Sequence, residues 1–403
     1  KRPGLTDLKS TVNYKDIAEV LSSLNLAIYT PSDFIQESKL FKYTEKYDSN
    51  HVSGGLTQSG REKGIRRLMA INLMKRLESS VNSFNLTLKR INELITDTIQ
   101  KIDDFEENRM NEVLAMEDFS NIDLDGDDMD DDDFVIGRKV QINIEDMDYL
   151  SWRYNLSKDK EYLYLLISMV DDIKPDHYIK LQTLFEIIDE KQNHPINEGN
   201  KKILIFTAFA DTAEYIYENV SKYVKSKYNL ETALVTGSTD GKTTIKSVRT
   251  DLNTVLTLFS PISKGKDLLF PDRKVEIDIL VATDCISEGQ NLQDCDYLIN
   301  YDIHWNPVRI IQRFGRIDRI GSKNKEIQLV NFWPDVDLDE YINLKGRVEG
   351  RMKVVNLSST GDDNVLTPEE EVELEYRKKQ LKKLQEEVVD LEDMNTGVNI
   401  MDL

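Results

Sequence analysis

The run Ile203-Leu204-Ile205-Phe206 begins the part of the chain that decides the fold. Short, wholly apolar runs of this kind are typical of strands that are buried on both faces of a sheet. Further runs follow, and longer segments of helical pattern separate them. Such alternation predicts an α/β fold with a parallel sheet covered on both faces. The predicted strands are 203–206, 233–235, 277–282, 297–301 and 327–332, and the predicted helices between them include 212–227 and 243–258.

Polar residues follow these strands directly. Thr207 follows the first strand, Thr236 and Gly237 follow the second, and Thr283 and Asp284 follow the third. In a parallel sheet of this kind, ligands bind at the carboxyl ends of the strands. Hydroxyl groups and backbone amides at that edge suit phosphate oxygens. The sequence therefore predicts a phosphate-binding edge.

The segment Gln312-Arg313-Phe314-Gly315-Arg316-Ile317-Asp318-Arg319-Ile320-Gly321 places an arginine at every third position. A spacing of three stacks side chains one turn apart, so the pattern predicts a row on one face of a short helix that begins after Pro307. Arginine holds a permanent charge in a planar fork that matches phosphate. Two interpretations are open. The row is either an ion-pair network, with Asp318 as its internal partner, or a surface that faces a polyphosphate, and the upstream loops favour the second.

The rest of the chain is predicted to be mainly helical. A long helix over about 65–107 has apolar residues at alternating spacings of about three and four, a stripe that requires partner helices. The candidates for these partners lie in 162–172 and 178–188. Residues 123–133 form an acidic loop of low complexity. The predicted domains are a helical region at 1–195, an α/β lobe at 196–334 and a helical tail at 335–403.

Composition and charge limit the classes of function. A length of 403 residues with 39% hydrophobic residues predicts two or three domains. The net charge of -21 argues against nucleic-acid binding over the whole surface, so such a contact has to be a local basic patch. The cysteines, Cys285 and Cys295, fit a reducing compartment, and we expect a cytoplasmic protein. No apolar run approaches the ~18 residues of a membrane span, so no membrane partner is expected. Because the chain begins at Lys1 rather than Met, we expect it to be part of a longer polypeptide.

The order of these motifs resembles the second motor lobe of superfamily 2 helicases. Within that superfamily the chain is similar to the Snf2-like translocases, nearest to the bacterial branch that contains the RNA-polymerase-associated Snf2 homologue. The resemblance covers about 176–332 and implies a RecA-like lobe of the P-loop NTPase type. The motifs that carry it are T-x-F at 207–209, T-G-S-T at 236–239, A-T-D-x-x-x-x-G-x-N-L at 282–292, W-N-P at 305–307 and Q-R-x-G-R-x-D-R-I-G at 312–321.

The resemblance implies a motor that binds ATP with Mg²⁺ and double-stranded DNA, with RNA as an alternative. Arg316 and Arg319 would be arginine fingers that neutralise charge on the γ-phosphate, and Gln312 would couple the nucleotide to strand movement. The positions implied near the nucleotide are Gly289, Asn291 and Asp318. The positions implied at the nucleic-acid backbone are Thr207, Thr236, Gly237, Thr283, Asp284 and Trp305, and Trp305 equally fits core packing.

Two features depart from the family pattern. Ser322 stands where many Snf2-like proteins carry glutamine. The phosphate loop and the D-E-x-H type box of a first lobe are missing, and 237–243 has one residue too few for G-x-x-x-x-G-K-[ST]. We therefore expect a first motor lobe of the same polypeptide to bind most of the ATP and Mg²⁺, and this chain to be inactive alone. The rival interpretation is a non-catalytic scaffold that keeps the motor fold and recruits a protein partner through its helical region.

Overall fold

The computed structural model describes the chain in segments that form two compact units. The described residues are 1–7, 12–48, 58–108, 113–116, 140–237, 241–246, 248–272, 274–286, 290–303, 307–319 and 321–333. The helical unit comprises Gly4–Leu184 and Phe209–Tyr215, and the sheet unit comprises Lys1–Pro3, Phe185–Ala208 and Ile216–Leu403. The predicted boundary after residue 195 stays a prediction. The acidic loop 123–133 and the tail 335–403 lie outside the described residues.

Long helices dominate the helical unit. Its helices are α1 (Tyr14–Leu21), α2 (Glu37–Asp48), α3 (Gln58–Ser79), α4 (Val81–Asn108) and α5 (Tyr149–Asp171), and α6 (Ile179–Asn193) follows. Strand β1 (Val113–Met116) pairs antiparallel with β2 (Val140–Asn143). Helix α4 packs on α5, so the predicted partner at 162–172 is the second half of a longer helix. The buried apolar residues of this pair include Phe84, Leu88, Ile95, Trp152, Leu156 and Leu163.

The single long helix predicted over 65–107 is wrong, because the chain forms two helices that meet at Ser80. The Ser80 hydroxyl oxygen accepts the backbone N–H of Ser83 at 3.0 Å, which makes Ser80 the N-cap of α4. The Ser80 backbone N–H donates to the Arg76 carbonyl oxygen at 2.9 Å, where α3 ends. Buried apolar residues continue on both sides of this junction, so periodicity alone does not reveal the break.

A six-stranded sheet, in the part of the chain that the structure describes, forms the sheet unit. Its strands are β3 (Ile203–Phe206), β4 (Thr232–Val235), β5 (Lys242–Thr243), β6 (Ile279–Ala282), β7 (Tyr297–Asn300) and β8 (Gln328–Asn331). The spatial order is β5-β4-β6-β3-β7-β8, and every pair is parallel except β4 with β5. Every residue of β3, β4, β6 and β7 is buried, as expected of strands covered on both faces. The predicted class, a mostly parallel α/β sheet with helices, is confirmed.

The connecting helices differ from prediction in one place. They are α7 (Ala210–Tyr228), α8 (Leu252–Phe259), α9 (Lys266–Leu269) and α10 (Pro307–Phe314). The helix predicted over 243–258 is wrong in its first half, because Thr243 pairs with Ala233 at the sheet edge. The β-branched threonines at 243 and 244 favour a strand. Helix α8 begins only after Asp251, whose carboxylate accepts the Thr254 backbone N–H at 3.0 Å.

Candidate functional site

The carboxyl ends of the parallel strands bring predicted residues to one edge of the sheet. Phe206 pairs in register with Ala282, and Ala282 pairs with Val235. The ladder continues for one step, because Thr207 N–H donates to the Ala282 carbonyl at 3.1 Å and Thr283 N–H donates to the Val235 carbonyl at 3.2 Å. The threonines that follow the three strands, Thr207, Thr236 and Thr283, therefore lie along one edge, as the strand pattern predicted.

The hydroxyl of Thr207 has an internal partner. Thr207 Oγ1 donates to Asp302 Oδ2 at 2.5 Å, and the Ala208 backbone N–H donates to Asp302 Oδ1 at 2.7 Å. Asp302 is buried just after β7, so it fixes the loop that follows β3. Sequence reasoning missed Asp302 as a functional residue, although its place after a strand put it at the same edge.

The other predicted nucleic-acid contacts differ in exposure. Thr236 and Thr283 are buried, whereas Gly237, one residue beyond Thr236, is exposed. Trp305 lies outside the described residues. Contact between these residues and a nucleic-acid backbone stays a prediction.

Arg313 is fully buried in the sheet unit, where its guanidinium group is hydrogen-bonded to neighbouring residues. Its Nε and Nη2 donate to the two carboxylate oxygens of Asp284 at 2.7 and 2.5 Å. Its Nη1 donates to Asn300 Oδ1 at 3.0 Å, and the guanidinium carbon lies 5.1 Å from the Phe206 ring centroid. This two-point pairing is the strong geometry for arginine and carboxylate. Asp284, predicted at the nucleic-acid backbone, therefore uses both of its oxygens to hold Arg313.

The row of three arginines on one helix face is wrong, because α10 ends at Phe314. Gly315 follows at once, and glycine disfavours continuation of a helix. A turn then begins, in which the Arg316 N–H donates to the Arg313 carbonyl at 3.1 Å. Arg316 is 9% exposed, and Arg319 is exposed. The two predicted arginine fingers thus stand beyond the helix, and Arg313 alone of the three is fully buried.

Arg316 is joined to the loop that follows β6. Its Nε donates to the Gln312 carbonyl at 3.1 Å, and its Nη1 donates to the Gln290 carbonyl at 3.5 Å. The Arg316 carbonyl in turn accepts the Leu292 backbone N–H at 3.0 Å. Asn291, predicted near the nucleotide, lies between these two contacts and is half-buried. The structure therefore brings Arg316 and Asn291 together.

The other residues that were predicted to lie near the nucleotide differ in exposure and in hydrogen bonding. Arg319 Nε donates to the Gly315 carbonyl at 3.1 Å, and neighbouring Asp318 is exposed. Gln312 is half-buried, and its Oε1 is buried without a hydrogen-bond partner among the described residues. Gly289 lies outside the described residues.

The donor set of this region fits a polyphosphate. Two guanidinium groups, those of Arg316 and Arg319, stand within four residues of each other beyond α10, and arginine matches phosphate geometry. The orphaned oxygen of Gln312 fits a water or hydroxyl group that donates to it. For a metal ion, the described residues hold no cluster of three or more His, Cys, Asp or Glu side chains. None of the described helices is long and apolar enough to cross a membrane.

Comparison with known proteins shows a similarity to helicases in part of the chain. Residues 179–321 match the model of the helicase conserved C-terminal domain. Strands β3, β4, β6 and β7 of the mostly parallel sheet lie within these residues, so this part of the chain is similar to a helicase C-terminal domain in sequence and has the α/β fold predicted for it.

Particular relatives are similar over short stretches. The uncharacterized ATP-dependent helicase YqhH of Bacillus subtilis (strain 168) is 42% identical over 67 residues, which are 17% of this chain and 12% of that protein. The ATP-dependent RNA helicase DBP8 of Candida albicans (strain SC5314 / ATCC MYA-2876) is 32% identical over 88 residues, 22% of this chain and 19% of its own length. The putative ATP-dependent DNA helicase fml2 of Schizosaccharomyces pombe (strain 972 / ATCC 24843) is 28% identical over 173 residues, 42% of this chain and 20% of its own length. The chain therefore spans about a fifth or less of the three relatives named here.

Among solved structures, the C-terminal part of the Fun30 ATPase domain aligns over 85% of this chain and 86% of that chain. The sequence identity is 14%, and the TM-score is 0.32.

Proposed function

We propose that this chain is the C-terminal motor lobe of an ATP-dependent DNA translocase of the Snf2-like type. The W-N-P and Q-R-F-G-R-I-D-R-I-G strings support this proposal, because they resemble those of the bacterial RNA-polymerase-associated branch. The observation that carries the proposal is the separation of the arginines. Arg313 is bound inside the lobe, whereas Arg316 and Arg319 stand beyond α10 on this fixed base.

In this proposal, ATP and Mg²⁺ are bound mainly by a first motor lobe of the same polypeptide. Arg316 and Arg319 neutralise the charge that develops on the γ-phosphate, the role for which arginine fingers are known in phosphoryl transfer. Gln312 orders a water or hydroxyl group beside the nucleotide, because its buried oxygen lacks a partner within the described chain. Asn291, Asp318 and Gly289 lie near the same nucleotide.

Nucleic acid binds at the carboxyl edge of the sheet. Of the predicted residues that the structure describes there, Gly237 is the most exposed, and its backbone N–H suits a phosphate oxygen. Thr236 precedes Gly237 in the chain, Thr283 is hydrogen-bonded to Val235 at the same edge, and Asp302 holds the loop of Thr207 in place. Such contacts reach phosphate and sugar, so binding is independent of base sequence. The relatives include helicases that are named for RNA and for DNA. Duplex DNA is therefore proposed from the Snf2-like strings and not from the relatives.

The test is ATP turnover by the two-lobed protein, meaning this chain together with the proposed first motor lobe, that carries Arg316→Ala or Arg319→Ala. Each change removes a charge that acts mainly in the transition state, so we expect kcat to fall by about 10³-fold, the lower end for an arginine finger. KM for ATP changes less. Arg249→Ala is the matched control, because it removes the same charge from an exposed position of the sheet unit.

Unchanged kcat in both variants, with the fold intact, would overturn the assignment of these arginines. If the parent protein also lacked nucleic-acid-stimulated turnover, the scaffold interpretation would replace the motor. Arg316→Lys adds a geometric check, because a lysine keeps the charge but loses the planar fork. We expect this variant to remain well below the wild-type kcat.

A further inference from the structure

The segment between α8 and α9 is fixed to the loop that carries the candidate site. Asp294 accepts the backbone N–H groups of Ile262 at 2.5 Å and Ser263 at 3.1 Å. The Lys264 N–H donates to the Ser260 carbonyl at 3.1 Å. Gly265 then has a φ of +64°, a left-handed conformation that favours glycine and turns the chain away. Lys264 is therefore presented at a defined position rather than on a free loop.

Lys264 and Arg316 meet at the same residue. Lys264 Nζ donates to the side-chain oxygen of Gln290 at 2.8 Å, and Arg316 Nη1 donates to the backbone oxygen of Gln290 at 3.5 Å. Asn291, the predicted nucleotide residue, is next in the chain. Two cationic side chains from separate segments thus converge beside the position predicted for a phosphate.

Among the described residues, no carboxylate balances the charge of Lys264. Within the described chain, no carboxylate oxygen lies within 4.0 Å of its Nζ. Lys266, two residues later, forms an ion pair with Glu276 at 3.2 Å. Burial lowers the pKa of Lys264. A neutral amide does not compensate a partly buried ammonium group, so this position favours the arrival of an anion.

We propose that Lys264 is a phosphate-binding residue that acts beside Arg316. It binds an oxygen of a phosphate group that enters next to Gln290, and its contact with Gln290 holds the ammonium group in place until then. The inference rests on the proposed function, which puts a polyphosphate at Arg316. Both a nucleoside triphosphate and a nucleic-acid backbone supply this chemistry, and the experiment separates the two sources.

The experiment measures ATP turnover by the two-lobed protein with Lys264→Ala, Lys264→Arg and the control Lys222→Ala, an exposed lysine of α7. Loss of a charge-assisted hydrogen bond is expected to raise the half-saturation constant either for ATP or for duplex DNA about tenfold. In one arm, ATP is varied at saturating duplex DNA. In the other arm, DNA is varied at saturating ATP, and its salt dependence is recorded.

A rise in KM for ATP alone, restored by Lys264→Arg, supports binding of the nucleotide. A rise in the half-saturation constant for DNA, with a salt slope smaller by about one, supports binding of the backbone phosphate. The proposal fails if Lys264→Ala behaves as Lys222→Ala does in both arms. It also fails if Lys264→Arg is no better than Lys264→Ala, because the effect is then structural.

Arg316→Ala is measured alongside. If Arg316→Ala leaves kcat unchanged, the proposed function fails. If Arg316→Ala lowers kcat but Lys264→Ala changes neither half-saturation constant, only the inference about Lys264 fails.

Discussion

Arg313, Arg316 and Arg319 share a sequence spacing but have three different environments. Arg313 is fully buried, Arg316 is nearly so, and Arg319 is exposed. Two apolar neighbours explain the burial of Arg313, because Ile310, three residues earlier on α10, and Ile317, in the turn beyond α10, are also buried. Arg313 therefore occupies the stripe that faces the core, where a charge needs a partner.

The sequence contained this signal. Spacings of three and four between Ile310, Arg313 and Ile317 predict one buried face, and a buried arginine predicts a buried acid. Which acid it is was not predictable from one sequence. Asp284 is 29 residues away, and only the folded sheet brings it to α10.

Asp284→Asn tests the pair with Arg313. This change keeps the size of the side chain but leaves a buried guanidinium without its counter-charge, which costs about 3–5 kcal/mol. The measurement is the free energy of opening of the sheet strands, from hydrogen exchange at the backbone amides of β3 and β6. Asp318→Asn is the control, because Asp318 is exposed and surface changes usually stay within about 0.5 kcal/mol.

A double variant separates the charge from the packing. Asp284→Leu with Arg313→Met removes both charges and fills much of the space, so it should cost less than Asp284→Asn alone. If Asp284→Asn is as harmless as the Asp318 control, the pair does not hold the lobe together, and the fixed base for Arg316 loses its support.

At the scale of elements, apolar patterns predicted strands better than helix ends. The buried strands are apolar at nearly every position, so their runs were visible in the sequence. Helix ends depend on single polar contacts instead. Ser80 divides α3 from α4, and Asp251 starts α8, through one capping hydrogen bond each. Neither contact has a periodic signature, so the sequence alone placed both helices with the wrong bounds.

A polar cluster joins α6 to α7 in the sheet unit. The carboxylate of Asp189 accepts hydrogen bonds from Tyr223 at 2.8 Å, Tyr228 at 2.8 Å and Lys227 at 2.6 Å. Burial alone would raise the pKa of Asp189, but the hydrogen bonds from these three side chains outweigh it and hold the pKa below its ordinary value of 3.8. The ionised carboxylate is therefore the form that the fold favours.

This shift has a defined pH dependence. Because the folded pKa lies below the unfolded one, the stabilisation is fully present above about pH 3.8 and is lost as the pH falls through the lowered folded value. We expect Asp189→Asn to lower the melting temperature at pH 7. The difference from wild type should shrink as the pH falls below 3.8.

Glu186→Gln on the exposed face of α6 is the control for this measurement. A difference between Asp189→Asn and wild type that stays constant from pH 7 to below 3.8 would contradict the account. It would mean that packing rather than ionisation of Asp189 joins the two helices.

At the scale of the whole molecule, the acidic net charge and the cationic side chains of the candidate site both favour local rather than diffuse binding of an anion. The chain carries a net charge of -21, yet Lys264 and Arg316 both contact Gln290 in the candidate site. A local cationic site on an acidic protein suits one bound polyphosphate better than diffuse binding. The sequence predicted the sheet, but the position of Lys264 beside Gln290 depends on a turn at Gly265 that no motif of the sequence indicates.

The central claim is that this chain supplies one half of an ATP site. The direct measurement is ATP hydrolysis, with saturating duplex DNA, by the 403-residue chain alone and after addition of a separately produced first motor lobe. We predict no turnover above background by the chain alone, turnover when both lobes are present, and none when the chain carries Arg316→Ala. DNA-stimulated hydrolysis by the chain alone would contradict the account.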